Sequence, residues 1–461
     1  MPELPRSTLL LLALATGLGP PACRREESPR PPPDHVVLVT IDTLRADHVG
    51  FAGYFRPTTP FLDRIADEGT VFTDCVSSAS LTGPSHASML TGLFPPQHGI
   101  VTNAQGLDPA TPTLPAALAE AGWQTAAFTG VRFLQQLRSG FDAFHPAPGR
   151  AEGEATFRPA EETVDAVLDW WSTGRDPDRP TFVWVHFFDV HEYRGIEIDP
   201  ALRREAGDEA AFLARMRDHL RSEMAYGARH VAVIDGYDTR IREVDRALRR
   251  LWEALEPGDS GSGLWIVTSD HGEGLGTHES FDHGPLLYEE LLRVPLLVWA
   301  GDGRFPARRI DATVRTIDLA PTVADLAGAS FAPAPLDDAS LDARSLRPYL
   351  EDGRDPVDRL AFALRRPANE ARLAIGWEPG VLAMARTRRF KLIDHSDGED
   401  ELFDLRDDPG ELENRLAAGA FDDAVVARLR AAIARVLGTA GRENATSETF
   451  LEELEQLGYL K

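Results

Sequence analysis

The chain has 461 residues, 43% of them hydrophobic, enough for one large α/β domain with an appendage or for two domains. A formal net charge of −25 argues against nucleic acid and against a broadly anionic lipid surface, so an anionic substrate would need a local cation, and a metal is the obvious one. Cys23 and Cys75 are the only cysteines, which excludes a disulfide framework.

Arg6 precedes the apolar run Leu9–Ala15, too short for a stable membrane anchor, and residues 17–21 break it. Ala22-Cys23 follows in the manner of a bacterial lipoprotein signal. Residues 1–23 therefore read as an export signal, with a lipid on Cys23 as the expected membrane link. Residues 24–34, charged and proline-rich, suit a stiff tether.

Folded structure is expected from His35. Val36–Ile41 is a near-continuous β-branched run, as in a strand buried on both faces of a parallel sheet, and it ends in Asp42-Thr43-Leu44-Arg45. Thr58-Thr59-Pro60 leads into a capped amphipathic helix, and Phe72–Val76 returns as a short strand. Ser80-Leu81-Thr82-Gly83-Pro84-Ser85-His86 then mixes hydroxyl residues with a Gly-Pro corner before an apolar stretch. That pattern presents one hydroxyl at a helix N-terminus, where backbone N–H groups favour an anion. It also fits a plain helix cap.

A helix over Leu114–Ala121 and a strand over Trp123–Phe128 follow. The buried strand Phe182–Phe188 closes on Asp189-Val190-His191, two metal-type ligands at i and i+2 that an extended chain would point to one side. Residues 141–175 and 194–224 show no recognisable pattern. Tyr237–Leu255 is a long helix with Ile241, Val244, Leu248, Leu251 and Leu255 at helical spacing. Leu264–Thr268 is a third buried strand and ends in Ser269-Asp270-His271-Gly272-Glu273, where an adjacent Asp and His are placed for a divalent ion. His278 and His283 lie in the loop beyond. Three strands thus end in Asp42, Asp189/His191 and Asp270/His271; in a parallel sheet those ends share one edge, with Thr82 beside them. Beyond Leu360, short antiparallel strands over Leu373–Ile375, Val381–Ala385 and Arg389–Ile393 are expected, then helices over Glu411–Leu437, with a break near Gly419, and over Ser447–Leu457.

These residues carry a resemblance. Leu38–Asp47, Thr59–Asp63, Pro84–Gly92, Ser269–Glu273, Ile317–Thr322 and Glu401–Leu405, with the tail Leu457–Leu460, are similar to the sulfatase family of the alkaline phosphatase superfamily. The resemblance implies an alkaline-phosphatase-like α/β sandwich: a large, mostly parallel central sheet flanked by helices over 35–360, and a smaller C-terminal α+β subdomain over 361–461. It implies a metal-dependent hydrolase of sulfate or phosphate esters acting on a small anionic ester. Asp42, Asp270 and His271 would hold the ion with Thr82 as a further ligand and nucleophile. His191 and His283 match positions that contact the transferred anion or bind a second metal, with Asp189 beside them.

The departures from the family pattern matter as much. Thr82 stands where sulfatases carry the Cys or Ser converted to formylglycine; its Cβ bears a methyl group, so no such aldehyde forms. His86 replaces the family Arg and is expected to act in catalysis. Arg132 is the only cation where a Lys-Trp-His stretch is usual. Thr43 and His271 replace an Asp and an Asn, which moves the expected metal from calcium or magnesium towards zinc or manganese, one ion or two. A Thr ester of phosphorus can be hydrolysed where the sulfate route through formylglycine is closed. An envelope phosphoryl-head-group transferase and a non-catalytic binding protein on the same scaffold are the remaining classes.

Overall fold

The first strand explains the layering of the molecule. In β1 (His35–Ile41) every residue is buried, and the side chains alternate between two apolar clusters: Val36 and Leu38 enter one, Val37, Val39 and Ile41 the other. In this computed structural model, residues 31–149, 157–203, 208–220, 228–256, 263–367, 373, 377 and 379–440 are described. The leader and Cys23, the tail from 441, and the helix expected over Ser447–Leu457 lie outside them. No helix among the described residues is long and apolar enough to cross a membrane.

The central sheet also contains β2 (Thr70–Val76), β3 (Gln124–Thr129), β4 (Ala143–His145), β5 (Thr181–Phe187), β6 (Gly263–Thr268), β7 (Arg293–Ala300) and β8 (Arg308–Arg315), in the order β4-β3-β5-β1-β6-β7-β2-β8. Strand β1 runs parallel to β5 and β6 in register, Thr40 opposite both His186 and Thr268, so their carboxyl ends open on one edge. Strand β7 alone runs against its neighbours β6 and β2. The helices Thr82–Thr91, Leu114–Glu120 and Leu319–Ala327 cover one face; Pro60–Glu68, Ala160–Thr173 and Ala228–Leu255 cover the other.

Several local expectations change. The cap of helix Pro60–Glu68 is not Thr59 but Asp245 of the long helix, whose carboxylate accepts from Phe61 N (2.9 Å) and Leu62 N (3.0 Å). Helix Ala160–Thr173 emerges from a stretch without visible pattern, because Val164, Val167 and Trp170 are its buried stripe. The break expected near Gly419 is present, the chain turning there at φ +65°, but residues 411–418 before it are not helical; the helix is Asp423–Leu437, opened by Asp422, whose side chain accepts from Ala424 N. Leu373 is helical, not a strand, and residues 374–376 lie outside the described set.

The second sheet, β12 (Glu401–Asp404)-β11 (Phe390–His395)-β10 (Leu382–Arg386)-β9 (Ala361–Arg365), is antiparallel throughout. One face packs on helix Asp423–Leu437 through Phe362, Leu392, Leu429 and Ile433. The other meets Val76, Leu287 and Leu292 at the functional edge of the large sheet, and Leu364 N donates to Ser78 O at 3.2 Å, four residues before Thr82. Buried ion pairs complete the junction. Arg386 bonds both oxygens of Asp74 (2.7 and 2.8 Å) and Glu289 (2.5 Å), and Lys391 bonds Glu411 at 2.8 Å. Removing Arg386 takes the bidentate cation from buried Asp74, which then keeps the Thr313 hydroxyl (2.6 Å) as its side-chain donor, while Glu289 keeps Lys391 at 3.2 Å. Arg386→Ala is therefore expected to cost about 3 kcal/mol in urea unfolding; a loss below about 1 kcal/mol would show the pairs to be idle.

Candidate active site

The carboxyl ends of β1 and β6 are bolted together before any functional group is counted. Ser269 Oγ donates to Ile41 O at 2.7 Å and accepts from Leu44 N at 2.9 Å. Ser77 and Ser85 both donate to the carbonyl of Asp270, the latter at 2.7 Å. Thr43, where the family has a second Asp, sits at φ +56°, a strained conformation for a β-branched residue costing roughly 1–2 kcal/mol. It is held there because its N–H reaches Asp270 Oδ1 (3.2 Å) and its carbonyl accepts from Tyr237 OH (2.6 Å). The strain turns the chain immediately after Asp42.

Asp42, Thr82, Asp270 and His271 converge, and all four are fully buried. Thr82 opens the helix Thr82–Thr91; Gly83 follows it because Asn103 lies so close that a Cβ would stand 3.1 Å from its Cα, and Gly83 N donates to Asn103 Oδ1 at 2.7 Å. The carbonyl of Gly272, 2.9 Å from His271 Nδ1, requires the proton on that nitrogen, so the bare Nε2 faces Thr82 Oγ1 and Asp270 Oδ2, each at 3.4 Å. Ligand atoms of Asp42, Asp270 and His271 all lie within 4.8 Å of one another.

Two oxygens of this cluster, Asp42 Oδ1 and Asp270 Oδ2, are buried with no hydrogen-bond partner. Burial, then repulsion from Asp270, lifts the Asp42 carboxyl well above its usual range. Asp270 is buried as well, but His271, His86 and His186 hold it down to about 2. Two inward-facing carboxylates, each with one oxygen that no hydrogen bond satisfies, beside a hydroxyl and the Nε2 of an imidazole, form a donor set that fits a divalent cation.

The histidines beyond this core divide into two groups. His283 stacks on His271 with ring centroids 4.6 Å apart, and His191 stands edge-on to His283 at 5.1 Å, so the three rings form one wall. Burial and the neighbouring His271 and His191 push the His283 pKa well down. Burial also opposes charge on His191, but its bonded Glu192 (2.8 Å), with Asp42 and Glu273 nearby, raises its pKa. His86 lies underneath. Its Nδ1–H donates to Thr82 O at 2.8 Å and its Nε2 accepts from Thr40 Oγ1 at 3.0 Å, which in turn accepts from Trp184 Nε1. Burial first of all lowers its pKa to about 3, and both nitrogens are engaged, Nδ1 with the Thr82 backbone and Nε2 with the Thr40 hydroxyl.

Asp189 does not join the cluster. It lies in a single turn of 3-10 helix, Asp189–His191, where residues two apart diverge instead of sharing a side. Its Oδ1 accepts from Ala160 N at 3.0 Å, the start of helix Ala160–Thr173, and burial raises its pKa to about 6. Arg132 is half-buried just past the end of β3, on the same sheet edge. One residue is additional to the expected set. His186, within β5, accepts from Gly130 N at Nδ1 and bonds Asp42 Oδ2 at 3.2 Å through Nε2; together with His86 and Asp270 it forms a second close group of ligand atoms. Its one sequence signal is an imidazole in an otherwise apolar strand, opposite Thr40.

A family model described as Sulfatase matches residues 34–329, and one described as N-sulphoglucosamine sulphohydrolase, C-terminal, matches residues 276–437. The chain is 26% identical to an N-acetylglucosamine-6-O-sulfatase of Bacteroides thetaiotaomicron, over 88% of this chain and 87% of that protein. A solved structure in complex with D-glucosamine-2-N,6-O-disulfate superimposes with a TM-score of 0.66 at 21% identity, covering 93% of this chain and 98% of the other. The phosphonate monoester hydrolase of Agrobacterium radiobacter does so with a TM-score of 0.65 at 22% identity, covering 89% and 95%. These likenesses show the shared alkaline-phosphatase-like fold. The superfamily is metal-dependent, and Asp42, Asp270 and His271 form one of two groups among the described residues that could hold a metal ion. With the first match alone covering more than half of its length, the chain belongs to the sulfatase family, enzymes that hydrolyse ester bonds.

Proposed function

We propose that the chain hydrolyses phosphate- or phosphonate-type esters through an unmodified Thr82, with one divalent ion held by Asp42, Thr82, Asp270 and His271. The observation that carries this reading is the pair of buried, unpartnered oxygens, Asp42 Oδ1 and Asp270 Oδ2, in the group that Thr82 Oγ1 joins through His271. Two carboxylates, a hydroxyl and an imidazole suit zinc or manganese better than calcium. Asp189, whose Oδ1 is engaged at a helix start, stands outside the group of Asp42, Asp270 and His271.

A bound divalent ion would lower the pKa of the threonine hydroxyl and neutralise charge on the transferred group. Within the chain, His86 and Asn103 fix the backbone on either side of the Thr82 carbonyl, so that Oγ1 keeps one direction of attack. Thr82 Oγ forms a bond to phosphorus, the bond from phosphorus to the leaving oxygen breaks, and that oxygen leaves with a proton. Water then cleaves the new oxygen–phosphorus bond and restores the threonine. His191 and His283 line the wall against which the transferred oxygens rest. Formylglycine has no part, because the methyl on Cβ forbids the aldehyde and with it the carbon–oxygen cleavage that releases sulfate.

A panel of aryl sulfate, phosphate monoester, phosphate diester and phosphonate monoester tests the assignment. Turnover is expected on the phosphorus esters; turnover of the sulfate alone would overturn it.

A further inference from the structure

Strand β5 carries an imidazole where packing alone asks for an apolar side chain. Phe182, Trp184 and Phe188 alternate into the apolar cluster shared with Ala87, Met89 and Leu90 of helix Thr82–Thr91, and the same alternation puts His186 in their row. His186 is fully buried, with the ring of His86 edge-on at 4.9 Å. A polar ring in such a place costs free energy unless its nitrogens are bonded, and here both are.

The two partners fix the proton. Gly130 N–H, shared with the carbonyl of His186 itself, points at Nδ1 from 3.3 Å. A backbone N–H only donates, so Nδ1 is the bare nitrogen and the proton sits on Nε2. Nε2–H therefore donates to Asp42 Oδ2 at 3.2 Å. The next residue of the strand holds the main chain, since Asp42 N donates to Phe187 O at 2.8 Å. Neighbouring residues of β5 thus grip the aspartate at its backbone and at one carboxylate oxygen. The other oxygen, Oδ1, is the buried one without a hydrogen-bond partner.

The tautomers also separate the two groups of possible metal ligands. In the second, His86, His186 and Asp270, each imidazole would have to turn a bare nitrogen towards one shared ion. His186 has its bare Nδ1 against Gly130 N–H, and His86 has its bare Nε2 against the Thr40 hydroxyl. In the first group the bare Nε2 of His271 already faces Asp270 Oδ2.

We propose that His186 is a positioning residue of the metal centre and not one of its ligands: its Nε2–H holds Asp42 Oδ2, so that Oδ1 alone is presented to the ion. A ligating carboxylate keeps its heading through such an outer hydrogen bond. The inference rests on the metal-site reading above and adds to it the residue that aims the aspartate.

Binding of Mn(II) alone to the stripped full chain tests this without turnover. Calorimetric titration is expected to give His186→Gln the wild-type affinity within about threefold, because glutamine returns an N–H close to the place of Nε2. His186→Leu, which has no donor, is expected to bind about 10–100-fold more weakly. Electron-spin-echo modulation from the bound Mn(II) is expected to show one coordinated imidazole nitrogen in wild type and in His186→Gln, and none in His271→Ala. Rescue by glutamine separates aiming from misfolding, which the leucine variant alone would not do. Equal affinity of His186→Leu and wild type, failure of His186→Gln to restore binding, or loss of a coordinated nitrogen in His186→Gln would overturn the inference and leave the metal site standing. A wild type that binds no Mn(II) would overturn both.

Discussion

Thr82→Ala is expected to lower kcat by roughly ten-thousand-fold or more with the fold intact, because a nucleophile's loss removes the covalent route and not merely a contact. The structure supports a clean experiment. Thr82 sits in the first turn of its helix without capping it, and the residue's backbone is held independently by His86 at its carbonyl. The unfolding free energies of the two proteins should therefore differ by no more than about 1–2 kcal/mol, the cost of one buried hydroxyl's contacts. Thr82→Ser, which keeps the hydroxyl, is expected to retain turnover, and acid quenching of the wild type during turnover to trap a phosphoryl group on the Thr82 peptide. Equal rates for Thr82→Ala and wild type would remove Thr82 from the chemistry. A trapped group on any other residue would do the same.

The sequence made the site's four central residues visible for a definite physical reason. Asp42 and Asp270 close short apolar runs that read as strands buried on both faces, and where such strands are parallel their ends fall on one edge. Period and burial are local properties and survive in one dimension. Asp189 misled because its side depends on the turn after the strand: extended backbone would have aimed it with His191, whereas a 3-10 turn sends it to a helix start. His186 was hidden by the opposite effect. Inside a strand it looks like one more buried residue, and only the register with β1, Thr40 opposite His186, brings it to Asp42. His86 was seen, but its direction was not, since facing Thr40 and the Thr82 carbonyl depends on how the helix lies on the sheet. The antiparallel β7 is as apolar as its parallel neighbours, and burial on both faces leaves no trace of strand direction.

Stripping the protein with a chelator is expected to abolish turnover altogether and to lower its stability, with zinc or manganese restoring both. At a free metal concentration one hundred times the dissociation constant, the bound ion would add about 2.7 kcal/mol to unfolding. The pH dependence of the stripped protein gives an independent reading of the same cluster. The Asp42 carboxyl is lifted well above its usual range by burial and by Asp270, so between its unfolded and folded pKa the native state holds a proton that the unfolded state has lost. Stability from this group is thus complete below about pH 4 and falls as pH rises, by about 1.4 kcal/mol per unit until the folded pKa is reached. Asp42→Asn removes that slope. The stripped variant is therefore expected to be more stable than the stripped wild type at pH 7 and to lose the advantage on acidification, while showing no stabilisation by metal comparable to wild type. A stripped wild type whose unfolding midpoint matches Asp42→Asn across pH 4 to 8, or one fully active after chelation, would mean that the two unpartnered carboxylate oxygens do not await a cation.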